Sequence, residues 1–248
     1  MTSISCIIPA RFDSTRFPGK PLAKLGDKTM IQHVFERARK VKEFDVVAVA
    51  TDSEQVAAEV IHFGGNVILT GSEHQSGTDR IAEAIKTAFI ETDYIVNVQG
   101  DEPLIEPDQI RELIALLDGV TEIATLVKRV SSKDELFNPN VVKAVIAANK
   151  YALYFSRSPI PYLRGLNEAD WLNMQQHFKH IGMYAYRRDV LEMIAALKPS
   201  KLEKCESLEQ LRWLEAGFSI KTAETNFETI GVDTPDDLEK AKKMMGLS

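Results

Sequence analysis

The chain has 248 residues, 44% of them apolar and 27% charged, with a formal net charge of −6. That balance is that of a globule able to bury its own core, and with no cationic stripe it excludes a nucleic-acid binder. No run approaches the roughly 18 apolar residues of a membrane helix, and no signal peptide opens the chain, so a cytoplasmic protein without membrane insertion is expected.

Residues 3–10 form a short apolar run, the pattern of a strand buried on both faces. Ile31, Val34, Phe35, Ala38 and Val41 then fall at helical spacing, and 46–50 is a second buried strand. Ser53 caps a helix carrying Val56, Ala57, Val60 and Ile61, which Gly64-Gly65 ends. A strand at 66–70, a helix at 79–89 and a strand at 94–98 follow. Pro107 opens a helix to 117 at the first-turn position proline tolerates, and 124–130 is a strand. After Asn138-Pro139 the pattern changes. Residues 141–147 and 152–155 read as neighbouring strands. S-R-S-P-I-P-Y-L-R-G (156–165) is too rich in proline for regular structure, and 160–178 shows no clear period. The segment around 157–180 is therefore expected to be an inserted lobe, a lid or a dimer contact. A strand at 181–186, helices at 190–197 and 202–216, a strand at 219–225 and a helix opening at Asp233-Thr234-Pro235 complete the chain. Of the two cysteines, Cys6 lies in the first strand and reads as a buried free thiol; Cys6 and Cys205 make no disulfide framework.

Strands alternating with helices imply βαβ units, a mostly parallel sheet and one domain over 1–248. Ligands of such sheets bind outside the carboxyl ends of the strands. Residues 11–20, 51–52, 71–80 and 99–103, each just past a strand, are thus expected to converge on one crevice.

The first of these lies within I-I-P-A-R-F-D-S-T-R-F-P-G-K-P-L (7–22). The pattern G-x-G-x-x-G is absent. The P-loop is excluded because Ser14 replaces its first glycine and Pro21 its Ser/Thr. Pro21 also disfavours a helix starting at Lys20. Such a loop must neutralise a ligand with side chains. Arg11, Arg16 and Lys20 supply charge, Ser14 and Thr15 supply hydroxyls, and three prolines lower the entropy lost on ordering. A triphosphate clamp fits this better than a solvated basic loop. Further on, Gly100 lets the backbone turn so that Asp101 can meet Mg²⁺, a cation that prefers oxygen ligands. Spacing alone makes Asp233 a plain N-cap. Glu102 is open between a third carboxylate and a turn-shaping role. In H-Q-S-G-T-D-R (74–80), Gly77 allows close approach, while Gln75 and Ser76 suit a base edge. Arg80 opposes a helix dipole and so reads as meeting a carboxylate or phosphate. Glu203, Glu206 and Glu209 recur every third residue and read as a solvated stripe. His180 reads as a polar loop residue and Tyr184 as core.

P-A-R-x-x-S-T-R-x-P-G-K-P-L (9–22) resembles the opening signature of the sugar-acid cytidylyltransferases, most closely the 3-deoxy-manno-octulosonate cytidylyltransferase family. So do V-A-T-D (49–52), H-Q-S-G-T-D-R (74–80), N-V-Q-G-D-E-P (97–103), Y-A-L-Y-F-S-R (151–157), H-I-G-M-Y-A-Y (180–186), L-E-Q-L-R (208–212) and V-D-T-P (232–235). Their common order across nearly the whole chain makes the resemblance specific. It implies an α/β fold, a Rossmann-like, GT-A-like three-layer sandwich with a mostly parallel mixed sheet and a small inserted lobe. It implies transfer from CTP to 3-deoxy-D-manno-octulosonate (Kdo), with pyrophosphate released, for lipopolysaccharide biosynthesis. Arg11, Lys20 and Asp101 would be catalytic. Ala10, Arg11, Lys20, Gln75, Ser76, Gly77 and Arg80 would bind nucleotide; Gln99, His180, Tyr184, Glu209 and Gln210 would bind the sugar. Asp101 and Asp233 would share Mg²⁺, and a homodimer is implied. Ser158-Pro159, 162–176 and Lys204-Cys205 depart from the pattern, which leaves an amino-substituted octulosonate or a sialic acid as alternative acceptors. A nucleotide-binding regulatory module is the reading from another class, and Asp101, Asp233, Arg11 and Lys20 argue against it.

Overall fold

A computed structural model describes residues 2–13, 16–74, 76–228 and 230–247. The chain opens with β1 (Ile4–Pro9), a 3₁₀ turn (Lys20–Leu22), the small hairpin β2 (Lys24–Leu25) and β3 (Lys28–Thr29), and α1 (Met30–Ala38). Then come β4 (Val46–Thr51), α2 (Glu54–His62), β5 (Asn66–Leu69), α3 (Gly77–Thr87), β6 (Tyr94–Asn97) and α4 (Pro107–Ile114). They are followed by β7 (Ile123–Arg129), α5 (Lys133–Phe137), β8 (Lys143–Ile146), β9 (Ala152–Ser156), α6 (Trp171–Met174) and β10 (Phe178–Arg187). The chain closes with α7 (Arg188–Ala195), α8 (Lys201–Glu206), α9 (Gln210–Glu215), β11 (Ile220–Glu224) and α10 (Pro235–Met244). Two compact units result: unit 1 from 1–111, 185–195 and 228–248, unit 2 from 112–184 and 196–227.

Unit 1 is built on the parallel order β6-β1-β4-β5, with Ile7 beside both Ala48 and Asn97, and Val49 beside Val67. Ile4, Cys6, Ile7 and Ile8 are all buried, because a strand with parallel neighbours has both faces covered. Burial pushes the Cys6 thiol pKa far up, so it is an inert core residue. Helix α1 buries Met30, Ile31, Val34, Phe35 and Ala38, a 3.6-residue stripe. Each large apolar side chain so buried contributes about 1.5–3 kcal/mol. Ser53 caps α2 by accepting from the Val56 amide, as expected. A second apolar cluster joins Leu25 and Met30 to Val232, Leu238 and Ala241, and so seats α10 and the residues before it.

In unit 2, β11 runs parallel to β7, while β8 pairs antiparallel with β9 and with the start of β10. The segment 157–180 lies in this unit. It holds a 3₁₀ turn (Glu168–Asp170) and the single turn α6, both too short for a period to register. Trp171 is buried there with Val130 and Leu136. The helix expected over 202–216 is instead two, α8 and α9, broken where Ser207 takes the left-handed region at φ 52°. The expected solvated glutamate stripe disappears with it. Glu203 closes a capping box with Ser200. Glu206 accepts from Ser156 Oγ at 2.6 Å and the Arg157 amide at 2.9 Å. Glu209 accepts from Arg212 Nη2 at 2.5 Å.

A serine in the left-handed region pays a steric cost that glycine avoids. Ser207→Gly is therefore expected to raise stability by about 0.5–1 kcal/mol, and Ser207→Val to lower it, in urea unfolding followed by circular dichroism.

Candidate active site

A cleft of about 250 Å³ opens in unit 1 at the carboxyl ends of β1 and β6. Ala10, Arg11, Arg16 and Lys20 line it from the first loop, Ser76, Gly77 and Arg80 from the start of α3, and Gln99, Asp101 and Asp233 from two further segments. Three of the four expected clusters thus meet. The fourth joins through Asp52, which accepts from Arg80 Nη2 at 2.8 Å. The convergence depends on Gly100, where a Cβ would stand 2.8 Å from the Pro9 carbonyl oxygen. Only glycine lets the end of β6 approach that of β1 so closely.

The charged centre of the cleft is Lys20. Its Nζ donates to Asp101 Oδ2 at 2.6 Å and to Asp233 Oδ1 at 3.1 Å, and Arg16 Nη2 reaches Asp233 Oδ2 at 3.0 Å. A backbone bond from the Val232 amide to the Asp101 carbonyl, 2.9 Å, sets the two aspartate segments side by side. Asp233 is not the N-cap that spacing suggested. Thr234 takes that duty, accepting from the Asp237 amide, and leaves the Asp233 carboxylate to the cations. Lys20 also opens a 3₁₀ turn that Pro21 was expected to disfavour. Proline is tolerated in a first turn, where the amide it lacks has no partner, and Gly19 at φ 71° supplies the entry.

At the other wall, Ser76 caps α3 by accepting from the Asp79 amide. Gly77 lies against Pro9, where a Cβ would stand 3.2 Å from the ring. Arg80 is buried and donates to Thr70 Oγ1 at 2.6 Å and the Gly71 carbonyl at 3.2 Å, besides Asp52. It does meet a carboxylate, and so braces the loop before α3. His74, which sequence reasoning left without a role, lines the cleft with Nε2 on Glu83. Glu83 also accepts from the Gly71 amide at 2.8 Å, and the His74 bond foremost holds its pKa below the usual carboxylate range. Gln75 lies outside the described residues, as do Ser14 and Thr15.

Glu102 is buried, its Oε2 has no partner among the described residues, and burial, with Asp101 second, pushes its pKa up to about 8. Burial thus disfavours its charged form, which argues against a third carboxylate at the cation site. No group of three His, Cys, Asp or Glu able to hold a metal occurs among the described residues. Asp101 and Asp233 nevertheless fit Mg²⁺. Both send an oxygen to one ammonium nitrogen, and this ion usually takes only one or two protein carboxylates and leaves its other positions to phosphate and water.

Gln99 lines the unit 1 cleft and donates to Asn97 Oδ1 at 3.3 Å. The other expected sugar residues belong to unit 2. His180 is in β10, not in a loop; its Nε2 is 3.1 Å from Thr125 Oγ1, and its ring lies edge-on to Phe155 and 5.2 Å from Tyr184. Desolvation lowers its pKa to about 3, so the imidazole is neutral. Tyr184 is buried against Trp213. Gln210 is buried at the start of α9, and Glu209 precedes it.

The family model for cytidylyltransferases matches residues 5–229. A 3-deoxy-manno-octulosonate cytidylyltransferase of Cytophaga hutchinsonii is 55% identical over 237 residues, 95% of each chain. One of Thermodesulfovibrio yellowstonii is 48% identical over 252 residues, 97% of each. The chain belongs to the 3-deoxy-manno-octulosonate cytidylyltransferase family. The structure of a CMP:2-keto-3-deoxy-manno-octonic acid synthetase complexed with CTP superposes with a TM-score of 0.92 at 44% identity, covering 99% of each chain. In this cytidylyltransferase fold, as expected, an α/β chain carries a mostly parallel sheet. No helix among the described residues is long and apolar enough to cross a membrane.

Two outcomes test this geometry. Gly100→Ala, forced against a backbone oxygen, is expected to cost about 1–3 kcal/mol of stability and to cut turnover, read by chemical unfolding and pyrophosphate release. His180 has a folded pKa far below its ordinary ~6.5, so the unfolded chain binds a proton the native one refuses. Its contribution is fully present above pH ~6.5 and is lost as pH falls towards 3. His180→Gln is expected to flatten that acid limb in unfolding midpoints measured from pH 7 to 4.

Proposed function

We propose that this chain transfers the cytidylyl group of CTP to Kdo, giving CMP-Kdo and pyrophosphate. The carrying observation is the cleft in which Arg11, Arg16 and Lys20 gather with Asp101 and Asp233 at strand ends. The 44% identity, over 99% of the chain, to a synthetase complexed with CTP supports it. In this reading the anomeric hydroxyl oxygen attacks the α-phosphorus, the bond from that phosphorus to the bridging oxygen of the β-phosphate breaks, and the hydroxyl proton passes to solvent. Such a step needs positioning and charge neutralisation more than covalent help. Arg11 and Lys20 hold the triphosphate and stabilise the departing pyrophosphate. Asp101 and Asp233 would hold a magnesium ion, which would supply further charge neutralisation at the α-phosphate.

Ala10, Gln75, Ser76 and Gly77 are assigned to the cytosine base and Arg80 to the nucleotide wall that it braces. Gln99, His180, Tyr184, Glu209 and Gln210 are assigned to the sugar acid. His180, being neutral, acts there as a hydrogen-bonding group and not as a cation. The product feeds lipopolysaccharide biosynthesis from the cytoplasm, and the enzyme works as a homodimer. Exposed Tyr162, Leu166 and Met174 in the 157–180 segment support the dimer.

The test is pyrophosphate release with CTP, Mg²⁺ and a panel of Kdo, its amino analogue and a sialic acid. Turnover with Kdo is expected; turnover only with another acid would reassign the substrate, and none with any acid would favour the regulatory module. Asp101→Asn is expected to lower turnover by at least ~10²-fold, the scale for one strong electrostatic contact. A folded mutant with near wild-type turnover would remove Asp101 from the mechanism.

A further inference from the structure

We propose that Lys20 is the resident counter-ion of the Asp101–Asp233 pair, and that CTP must draw it away before a divalent cation can enter. Nucleotide and metal then bind as a coupled pair, not independently. The inference rests on the reading of the two aspartates as a cation site.

Three carboxylate oxygens already hold cations: Asp101 Oδ2 and Asp233 Oδ1 on Lys20, Asp233 Oδ2 on Arg16. The Lys20 side chain is only 14% exposed and that of Asp101 29%. Charges so shielded interact more strongly than a surface pair does, and salt screens them less. Both oxygens of Asp233 are taken, so a metal shared by the two aspartates competes with Lys20 or Arg16 for one of them.

The local charge sets the order of arrival. Arg80 is matched by Asp52, which leaves Arg11, Arg16 and Lys20 facing Asp101 and Asp233, a formal excess of one positive charge in the cleft. A free divalent cation meets repulsion there, whereas a triphosphate is attracted. The lysine is also built to move alone. The 3₁₀ turn pins its backbone, with its amide on the Phe17 carbonyl and its carbonyl accepting from the Ala23 amide. Its flexible stem carries a compact charge that can turn to a phosphate oxygen while the main chain stays. Once phosphate takes Lys20, the carboxylates need another cation, and the metal supplies it. By linkage, the nucleotide raises metal affinity by the same factor as the metal raises nucleotide affinity.

Mn²⁺ is the probe, its free concentration read by electron paramagnetic resonance with no acceptor sugar present. Without CTP, wild type is expected to bind Mn²⁺ weakly, and Lys20→Met at least ~10-fold more tightly, within the usual range of coupling. Asp101→Asn in the Lys20→Met background is expected to abolish the gain, which separates this site from weak surface carboxylates. Lys20→Arg keeps the charge and is expected to behave as wild type. Melting midpoints give a second readout: Mn²⁺ alone is expected to raise that of Lys20→Met and not that of wild type. A wild type whose midpoint rises with Mn²⁺ alone overturns the proposal with no variant needed. So does a cooperatively melting Lys20→Met that gains no Mn²⁺ affinity. Wild type that releases no pyrophosphate with any acceptor defeats the functional reading instead, and the Mn²⁺ comparison still reports on Lys20.

Discussion

One ammonium group ties together stretches that the chain keeps far apart. Lys20 meets Asp101 and Asp233, which lie 81 and 213 residues further along. That junction exists because two backbone features and one apolar cluster bring its parts within reach. Gly100 lets β6 end against β1, the Val232 amide bonds the Asp101 carbonyl, and an apolar cluster around Leu25, Val232 and Leu238 seats the segment that carries Asp233. Loss of any of them separates charges whose attraction falls with distance and with water entry. The cleft is thus held by packing and backbone bonds, and the ion pairs report that it is correctly assembled.

The same logic explains how an acidic chain makes a cationic pocket. A net charge of −6 is spread over the whole sequence, whereas Arg11, Arg16 and Lys20 are concentrated at one strand end. Screening limits the reach of the distant carboxylates, so the local excess dominates what a phosphate meets. Other cations are committed elsewhere. Arg80 is spent on Asp52, Thr70 and Gly71, so it braces the loop leading into α3. Glu83 completes that brace from the next turn, holding the Gly71 amide and His74. Arg80 and Glu83 thus brace the wall beside the cationic loop through bonds that need no ligand.

Several elements were readable because one local signal sufficed. The apolar run at 3–10 could only be a strand with both faces covered, and Ser53 before a helical stripe marked a cap that the structure shows. Other features had no local signal. Serine rarely takes the left-handed region, so nothing announced the break at Ser207 that moved Glu203, Glu206 and Glu209 onto separate partners. Asp233 and Thr234 are both good caps, and spacing could not say which would serve; packing chose Thr234. Glu102 follows Asp101 directly, yet burial disfavours its charged form, a distinction written in its surroundings and not in its side chain. His180, taken for a loop residue, lies in a strand where Phe155 and Tyr184 help desolvate it.

By itself the sequence determined the βαβ alternation, the cationic loop after the first strand and the ordered motifs of a cytidylyltransferase. Those are properties of neighbours along the chain: periodicity, caps, and residue types at fixed spacing. Only the tertiary structure decided which charges meet, which carboxylates stay ionised, and which polar groups are spent on bracing instead of left for a ligand. Those depend on distance and on exclusion of water between residues scores of positions apart, and neither quantity exists until the chain has folded.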